Sequence, residues 1–350
     1  MQALRLHVAR RFNSHLIDTQ PPPPHRTMTT TPTRKRSSVK ARYDGPTAEQ
    51  KLCNELVEMI ESGVNPWRKE WVSSAADYHQ NLITGHQYRG ANVLVLCAYM
   101  AARGYELPYF VGASQARPKG WFPKKGSKAC YILRPQPVSY IKEDSDGNTV
   151  KDDNGKPVEV SYVKYKACAV FNVGDLQAKD DKAKAALDAK ILELAGNSTE
   201  PKPLADRNEA ARTQLSKWIV DVKHYGDRAF YSPAADKITM PKEAAFNNEG
   251  AYLSTLSHEM IHSTGHGRRL GRDMSGRFGS KAYAREELVA ELGAFLVCNR
   301  LEIDSNTNNH AAYLKGWAQI LGDDDGPKVL FKVLSDATKA AELIAPQEID

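Results

Sequence analysis

The spacing of apolar residues predicts a chain that mixes helices with short strands. Apolar side chains recur at helical spacing over residues 47–62 and again over 93–103, and a glycine follows each of these segments. Residues 178–195 are predicted to form a third, charged helix. Runs rich in β-branched and aromatic residues predict strands at 129–137 and 162–173.

The segment between those two strands, residues 142–159, is polar and turn-rich, and we expect it to form the tip of a long hairpin. In the second half of the chain, short strands are predicted at 219–222, 229–232 and 237–240. The C-terminal residues 310–344 are predicted to form two helices, interrupted at 322–327. Helices and strands in this order favour an α+β fold.

The first 42 residues differ in composition from the rest of the chain. They hold nine basic residues, one aspartate and four consecutive prolines, so residues 1–45 are predicted to be a disordered basic tail. The other 308 residues carry 39 basic and 41 acidic side chains, a formal charge of −2. Any nucleic-acid site in the folded part must therefore be a local patch. The tail could be an organelle transit peptide, but we favour translation from Met28 rather than Met1.

Composition also bounds the organisation of the folded part. With 350 residues, 41% of them hydrophobic, the chain is expected to form two domains, at 46–195 and 206–350, joined by a linker at 196–205. No apolar run approaches the length of a membrane span, so no membrane partner is expected. The five cysteines are scattered without a Cys-x-x-Cys pair. They predict free thiols in a reducing compartment, and hence a cytoplasmic protein.

The strongest chemical signal is the run from His258 through Glu259 to His262. Two histidines four residues apart on a helix face the same way, so both imidazoles can reach one metal ion. Glu259 then faces the water that the metal activates, which makes it the candidate general base. The ends of this helix are expected at the following residues: Asn247 or Asn248 as the cap, and Gly265 as the stop.

A third metal ligand is expected from a second, acidic helix, which is predicted to begin near Glu286. Glu287 and Glu291 are one turn apart and share a face. Glu287 is the preferred ligand, because Glu-Leu-Val-Ala-Glu resembles a zincin pattern in which the first acid binds metal and the last orients a histidine. Glu291 is the alternative ligand. His266 is expected to be a loop residue, because a catalytic site with one Zn²⁺ leaves a position for water. The other interpretation is a solvated acidic helix beside a histidine-bearing one.

A basic segment at residues 115–134 is the candidate nucleic-acid surface. It holds six basic residues and no acidic residue, with Trp121, Phe122 and Tyr131 interleaved. Cations that follow a phosphate backbone, with rings for base stacking, are typical of proteins that bind single strands. The alternative is that the tryptophans are core residues and the lysines belong to a solvated loop.

From about residue 47 onward, ordered motifs connect the chain to a known family. In the first half they are Pro66-Trp67-Arg68-Lys69 and residues 84–92, 124–128 and 170–173. In the second half they are residues 226–233, 258–265, 269–270, 278–280, 283–292 and 309–314. In these motifs the chain resembles the ArdC-type antirestriction proteins of conjugative plasmids, phages and bacteria. Plasmid DNA primase accessory regions with the same N-terminal domain are also similar.

The resemblance implies an N-terminal α+β domain that binds single-stranded DNA, followed by a mainly helical zincin-like metallopeptidase domain with a small sheet. It also implies protection of incoming plasmid or phage DNA from type I restriction, with single-stranded DNA and a type I restriction complex or another protein as partners. A basic loop surface is the candidate contact with that complex, and a solvated surface or a DNA contact is the alternative; its residues are Arg268, Arg269, Arg272 and Arg277. Composition and motifs together nominate these DNA-binding residues: Trp67, Arg68, Tyr88, Arg89, Asn92, Trp121, Lys124, Lys125 and Lys128. The acidic insert at 142–159 is longer than the family pattern.

Two other functions stay open at this point. The protein could be a zinc endopeptidase that DNA recruits to a specific protein substrate. It could also be a primase-associated factor that coats a strand and catalyses nothing. If the protein is of the ArdC type, an intact metal motif permits peptidase chemistry but does not prove it.

Overall fold

The computed structural model describes residues 45–61, 79–144, 147–152, 154–196, 202–304, 317–318, 320–322 and 325–347. Its main helices are α1 (Ala48–Glu61), α2 (Ala91–Arg103), α3 (Ala113–Ala116), α4 (Asp181–Gly196), α5 (Leu204–Leu215), α6 (Glu249–Thr264), α7 (Lys281–Arg300) and α8 (Gly326–Ile344). Strands fall in both halves of the chain, which makes the protein α+β as expected.

The strands form three small sheets. The first has the order β1 (Gln80–Asn81), β2 (Tyr109–Val111), β5 (Glu159–Asn172) and β4 (Cys130–Ile141). The second pairs β3 (Trp121–Pro123) with β6 (Leu176–Ala178) in antiparallel fashion. The third has the order β7 (Asp221–His224), β9 (Lys237–Met240) and β8 (Phe230–Ser232), so that β8 lies at an edge.

Most predicted elements are present, and their differences have local causes. α7 begins at Lys281 rather than near Glu286, because the Ser280 hydroxyl accepts a hydrogen bond from the Tyr283 N–H and caps it there. α5 was not predicted. Two of its buried positions are Arg207 and Asn208, so its inner face lacks the apolar stripe by which helices are recognised.

Residues 134–166 belong to one of two compact units, and the other unit holds residues 46–133 and 167–350. The outer ends of β4 and β5 lead to a tip in which two small hairpins are joined by backbone hydrogen bonds among Lys142, Val150 and Val158. Described side chains of this ribbon are mostly exposed. The hairpin tip predicted for this segment is thus confirmed.

In the larger unit, helices on either side of residues 197–201 share one hydrophobic core. α8 packs against α7 and also against α1 and α2. The Cys53 thiol in α1 donates to the Leu321 carbonyl at 3.2 Å, and a Cβ at Gly90 would lie 2.9 Å from Thr338 in α8. Division into domains at 196–205 remains a prediction, because nothing in this packing separates the two halves.

The five cysteines are free thiols, as predicted. Burial raises the pKa of Cys53 to about 11 and that of Cys130 to about 12, so both are unreactive at neutral pH. Among the helices of the described segments, none combines the length and apolar character that crossing a membrane requires.

Candidate metal centre

The predicted metal motif lies on α6, and the sequence fixes this helix at both ends. The Asn248 side chain accepts a hydrogen bond from the Ala251 N–H at 2.8 Å and caps its start, and Gly265 follows its last turn. Leu253, Met260 and Ile261 are buried and hold the helix in the core. His258 and His262 consequently stand one turn apart, with ring centroids 4.8 Å from each other.

α7 packs against α6 and brings carboxylates to both histidines. Glu287 approaches the Nε2 atom of each ring, with its Oε2 3.8 Å from His258 and its Oε1 3.5 Å from His262. Donor atoms of these three side chains all lie within 4.8 Å of one another. Ligands about 2.0–2.2 Å from a tetrahedral ion lie about 3.3–3.6 Å apart, so the three side chains fit one metal ion with little adjustment.

Two further carboxylates face the opposite nitrogens of the rings. Glu291 lies 3.5 Å from Nδ1 of His258, and Glu286 lies 3.2 Å from Nδ1 of His262. A carboxylate at Nδ1 holds the proton on that nitrogen and leaves Nε2 free for a metal. This arrangement favours Glu287 over Glu291 as the third ligand. Glu286 was given no role by the sequence, because adjacent helical residues are about 100° apart and Glu286 is therefore off the face that Glu287 and Glu291 share.

The charges of this cluster shift two pKa values. For His258, burial opposes the charged form, but the hydrogen bond to Glu291 and the nearby charges of Glu259 and Glu287 raise its pKa to about 9. For Glu286, burial also opposes the charged form, yet hydrogen bonds from Arg272 and His262 hold its pKa below the ordinary value. The metal-free site is therefore a network of ion pairs in which His258 holds a proton that a metal must displace.

A cavity of about 760 Å³ lies in front of the histidines. Glu259, which is buried, lines it together with the ligand candidates. One side is formed by β8 and the residues around it, and another by Asp273, Met274 and Gly276 from the loop between α6 and α7. Glu259 and both histidines are therefore reached through one cavity.

The arginines of that loop are placed differently from what the sequence suggested. A basic surface of Arg268, Arg269, Arg272 and Arg277 was the expectation, but only Arg268 and Arg277 are exposed. Arg269 pairs with Asp236 and bonds the Ser263 carbonyl, and Arg272 pairs with Glu286. The expected basic surface is thus wrong for two of its four members. His266 lies in the loop, where its Nδ1 accepts from the Arg268 N–H.

Candidate DNA-binding residues in the first half fall into three groups. Trp67 and Arg68 lie outside the described residues. Arg89 and the three lysines of the basic segment, Lys124, Lys125 and Lys128, are exposed. The third group, which is taken up by internal contacts, consists of Tyr88, Asn92 and Trp121.

The internal contacts of that third group are specific. Tyr88 is 7% exposed, and the Asn92 side chain makes two hydrogen bonds with the Leu133 backbone. Trp121 is 3% exposed, and its indole N–H donates to the Ala183 carbonyl at 2.9 Å. The prediction that Trp121 stacks on bases is wrong for this structure, because α4 covers its ring.

The ring that does face solvent is the neighbour of Trp121. Phe122 is 36% exposed, since successive side chains of a strand point to opposite faces. Gly120 precedes β3 with a φ of +77°, and its missing Cβ leaves room for the aliphatic part of Lys179. Phe122 is therefore an exposed ring in a segment that also holds exposed lysines, and strand alternation indicates that it faces the side of β3 opposite to Trp121.

Comparison with known proteins gives a consistent result for both halves. A family model described as the N-terminal domain of the anti-restriction factor ArdC matches residues 46–171, and one described as a zincin-like metallopeptidase matches residues 209–333. An uncharacterised protein, y4eC of Sinorhizobium fredii, is 27% identical over 86% of this chain and 92% of its own length.

Two DNA primase TraC proteins of Escherichia coli are each 30% identical over 84% of this chain, which spans only 19% and 27% of their lengths. Crystal structures of the antirestriction protein ArdC from plasmid R388, one metal-free and one bound to Mn(II), match with a TM-score of 0.58 and 28% identity. The match covers 85% of this chain and 96% of R388 ArdC. Together with the donor set on α6 and α7, the metal-bound relative supports a divalent metal here. With both domains in order and this structural match, the chain belongs to the ArdC-type antirestriction proteins, in which an ArdC N-terminal domain precedes a zincin-like metallopeptidase domain.

Proposed function

We propose that this ArdC-type protein protects incoming, unmodified DNA from type I restriction in the cytoplasm by binding it as a single strand. The observation that carries the proposal is the match to antirestriction protein ArdC over 85% of this chain. Occupancy of an entering strand can itself exclude a restriction enzyme, whereas cleaving that enzyme would require a defined substrate site.

Single-strand binding is proposed to use Phe122 and the exposed cations around it. Lys124 is held in place because its ammonium group donates to the Gly174 carbonyl at 2.8 Å, while Lys125 and Lys128 are exposed on the loop that follows β3. Lys179 lies beside Gly120 at the start of the strand. A ring that stacks on a base among cations that contact phosphates is the usual combination in proteins that bind single strands.

The test is a binding titration with single-stranded DNA at several salt concentrations. Phe122→Ala should weaken binding without changing the salt dependence, because stacking releases few ions. Replacing Lys124, Lys125 and Lys128 together should weaken binding and flatten the salt dependence by up to about 2 in slope, at about 0.7 per lost phosphate contact. Tyr225→Ala is the matched control, since Tyr225 is 81% exposed in the other half of the chain. Unchanged affinity of Phe122→Ala would refute the stacking role.

We also propose that one Zn²⁺ per chain is bound by His258, His262 and Glu287. Bound there, the ion would supply Lewis-acid activation of water or of a carbonyl group. Glu291 and Glu286 would hold the imidazoles in the orientation described above. Metal content of the purified protein tests this proposal: Glu287→Gln should lose most of the zinc, whereas Glu291→Gln should keep it with weaker affinity. Equal loss of zinc in both variants would show that the choice of Glu287 over Glu291 as the ligand is wrong.

Peptide hydrolysis is a second candidate function, and the cavity favours it. Glu259 lines the cavity beside the proposed ligands and could accept a proton from water, and β8 offers an edge strand to which an extended peptide could add. Glu259→Ala should abolish hydrolysis without removing the metal. A strand-coating factor that works beside a primase is the third candidate, suggested by the TraC relatives.

The deciding experiment is transfer of an unmodified plasmid into a host with type I restriction. Under the occupancy mechanism, Glu259→Ala keeps most of the protection and the triple lysine variant loses it. If Glu259→Ala abolishes protection yet folds, binds zinc and binds DNA, the protein acts as a protease. If neither variant nor wild type protects, the strand-coating alternative stands instead.

A further inference from the structure

Two buried arginines fasten the loop between α6 and α7, and they do so in similar ways. Arg269 is 9% exposed and pairs with Asp236, while Arg272 is 6% exposed and pairs with Glu286. Each also bonds a backbone carbonyl near the end of α6: Arg269 that of Ser263, and Arg272 that of Ile261. Both therefore hold the loop as one wall of the metal cavity.

The two arginines differ in what lies beyond their carboxylate. Asp236 accepts a hydrogen bond from the Tyr231 hydroxyl at 2.7 Å. Glu286, in contrast, uses the same oxygen for Arg272 and for the metal motif: its Oε1 lies 2.7 Å from Nη2 of Arg272 and 3.2 Å from Nδ1 of His262. Its other oxygen accepts from Nε of Arg272 at 2.9 Å.

We propose that Arg272 is a positioning residue of the metal centre and acts on His262 through Glu286. The proposal rests on the metal site of the proposed function. The two-point contact with the guanidinium fixes the rotation of the Glu286 carboxylate. The Glu286 oxygen that faces Nδ1 of His262 is thereby kept in place as a hydrogen-bond acceptor.

The consequence for His262 concerns its tautomer. A carboxylate oxygen held at Nδ1 accepts the proton of the neutral imidazole there, which leaves the lone pair of Nε2 directed to the metal. Without Arg272, the Glu286 carboxylate loses its two-point contact and is free to rotate away from Nδ1, so that the orientation and tautomer of His262 are no longer fixed. Arg272 is further held by a bond to the Thr264 hydroxyl at 2.7 Å, so the chain of contacts is anchored at its outer end.

The experiment measures zinc affinity by competition with a chelator for wild type, Arg272→Met and the matched control Arg269→Met. Loss of a group that orients a metal ligand lowers affinity by about 10–100-fold, so Arg272→Met is expected in that range. Arg269→Met is expected to keep the wild-type affinity, although both variants lose a buried ion pair of the same loop. Equal affinities in the two variants would overturn the proposal and leave Arg272 as a loop anchor only.

A spectroscopic measurement separates positioning from general loosening. Nitrogen NMR of the zinc-loaded protein with labelled histidine should show His262 protonated at Nδ1 in wild type and in Arg269→Met. The zinc-loaded Arg272→Met should show that signal exchange-broadened or shifted, and an unchanged signal would count against the proposal. If Arg272→Met fails to fold, Glu286→Gln replaces it. That variant keeps an acceptor oxygen but loses the charge that Arg272 binds, and it should show weaker zinc binding, while wild-type affinity would overturn the proposal.

Wild-type zinc binding distinguishes this inference from the proposed metal site. If wild type binds no zinc at one ion per chain, the metal site itself is wrong and the positioning role falls with it. If wild type binds zinc and Arg272→Met binds it equally well, the metal site stands and the positioning role alone is wrong.

Discussion

The metal centre depends on how closely α6 and α7 approach, and Gly293→Ala tests that dependence. Gly293 of α7 faces Ile261 of α6. A Cβ added at Gly293 would lie 2.8 Å from Cδ1, 2.9 Å from Cγ2 and 3.0 Å from Cγ1 of Ile261. Non-bonded carbon atoms normally stay about 3.5–4.0 Å apart, so the methyl group lacks about 0.5–1 Å of space.

The expected change in the free energy of unfolding is the balance of two opposing effects. Alanine favours a helix over glycine by about 1 kcal/mol, which would stabilise the variant if the position were open. Over-packing a close-packed core costs about 1–3 kcal/mol, and Ile261 is fully buried, so it cannot move into solvent. We therefore expect a net loss of about 1 kcal/mol in the metal-free protein.

Metal affinity should respond more strongly than stability. Moving α7 away from α6 carries Glu287 away from both histidines, and a site of this kind tolerates displacements of only about 0.5 Å. A loss of about tenfold in zinc affinity is expected, which would add about 1.4 kcal/mol to the stability difference once zinc is bound. Urea unfolding with and without zinc, together with chelator competition, measures both quantities.

Two further variants control this prediction. Gly196→Ala, at the end of α4, meets no atom within 4 Å and should be neutral or stabilising. Ile261→Ala removes the three atoms nearest to the new methyl group, so adding Gly293→Ala to it should cost little, with a coupling of about 1–3 kcal/mol. If Gly293→Ala alone leaves both stability and zinc affinity unchanged, α7 does not pack against Ile261 of α6 as closely as described above.

Three other predictions follow from the contacts of single residues. Metal affinity should fall as the pH drops below about 9, by up to tenfold per pH unit, because His258 then holds a proton that the metal must displace. The stability of the metal-free protein should change in the opposite direction. It should fall as the pH rises from about 6.5 through 9, because a raised pKa stabilises the folded protein only while the proton is bound. Chelator competition measures the metal affinity and urea unfolding measures the stability, each at a series of pH values. If both quantities rose or both fell with pH, the reasoning from the pKa of His258 would be contradicted. Trp121→Ala should destabilise the fold by about 3–5 kcal/mol in urea, as loss of a core residue rather than of a DNA contact. Asn248→Ala should cost about 1 kcal/mol through the lost cap of α6, and wild-type stability in urea would show that this cap does not matter.

Several parts of the site were accessible from the sequence because they depend on local spacing. The distance of four residues between His258 and His262 places both rings on one face of any helix. Asn248 and Gly265 lie where a cap and a stop are expected, and the structure has the helix between them. Glu287 also lies where the motif predicts an acid, although its role as a ligand stays a proposal.

Other parts could not be predicted because they depend on contacts between distant residues. Trp121 and Phe122 must face opposite sides of β3, but which of them is buried is decided by β6 and α4, more than fifty residues away. Arg272 finds Glu286 only because the loop folds back along the end of α6. In α5 the inward-facing Arg207 is satisfied by the Lys202 and Glu302 carbonyls, which no apolar pattern reveals.

The position of α8 has a consequence for how this protein can be recombined with its relatives. One surface of α8 packs on α7, which carries the acids of the metal centre, and other residues contact α1 and α2 of the first half. A chimera that took its first half from a relative would place foreign side chains against Thr338 and Leu321, in a core where one methyl group changes stability measurably. A fragment ending near residue 196 would lack α8, which is a packing partner of α1. The portion that can be exchanged intact therefore runs from α1 through α8.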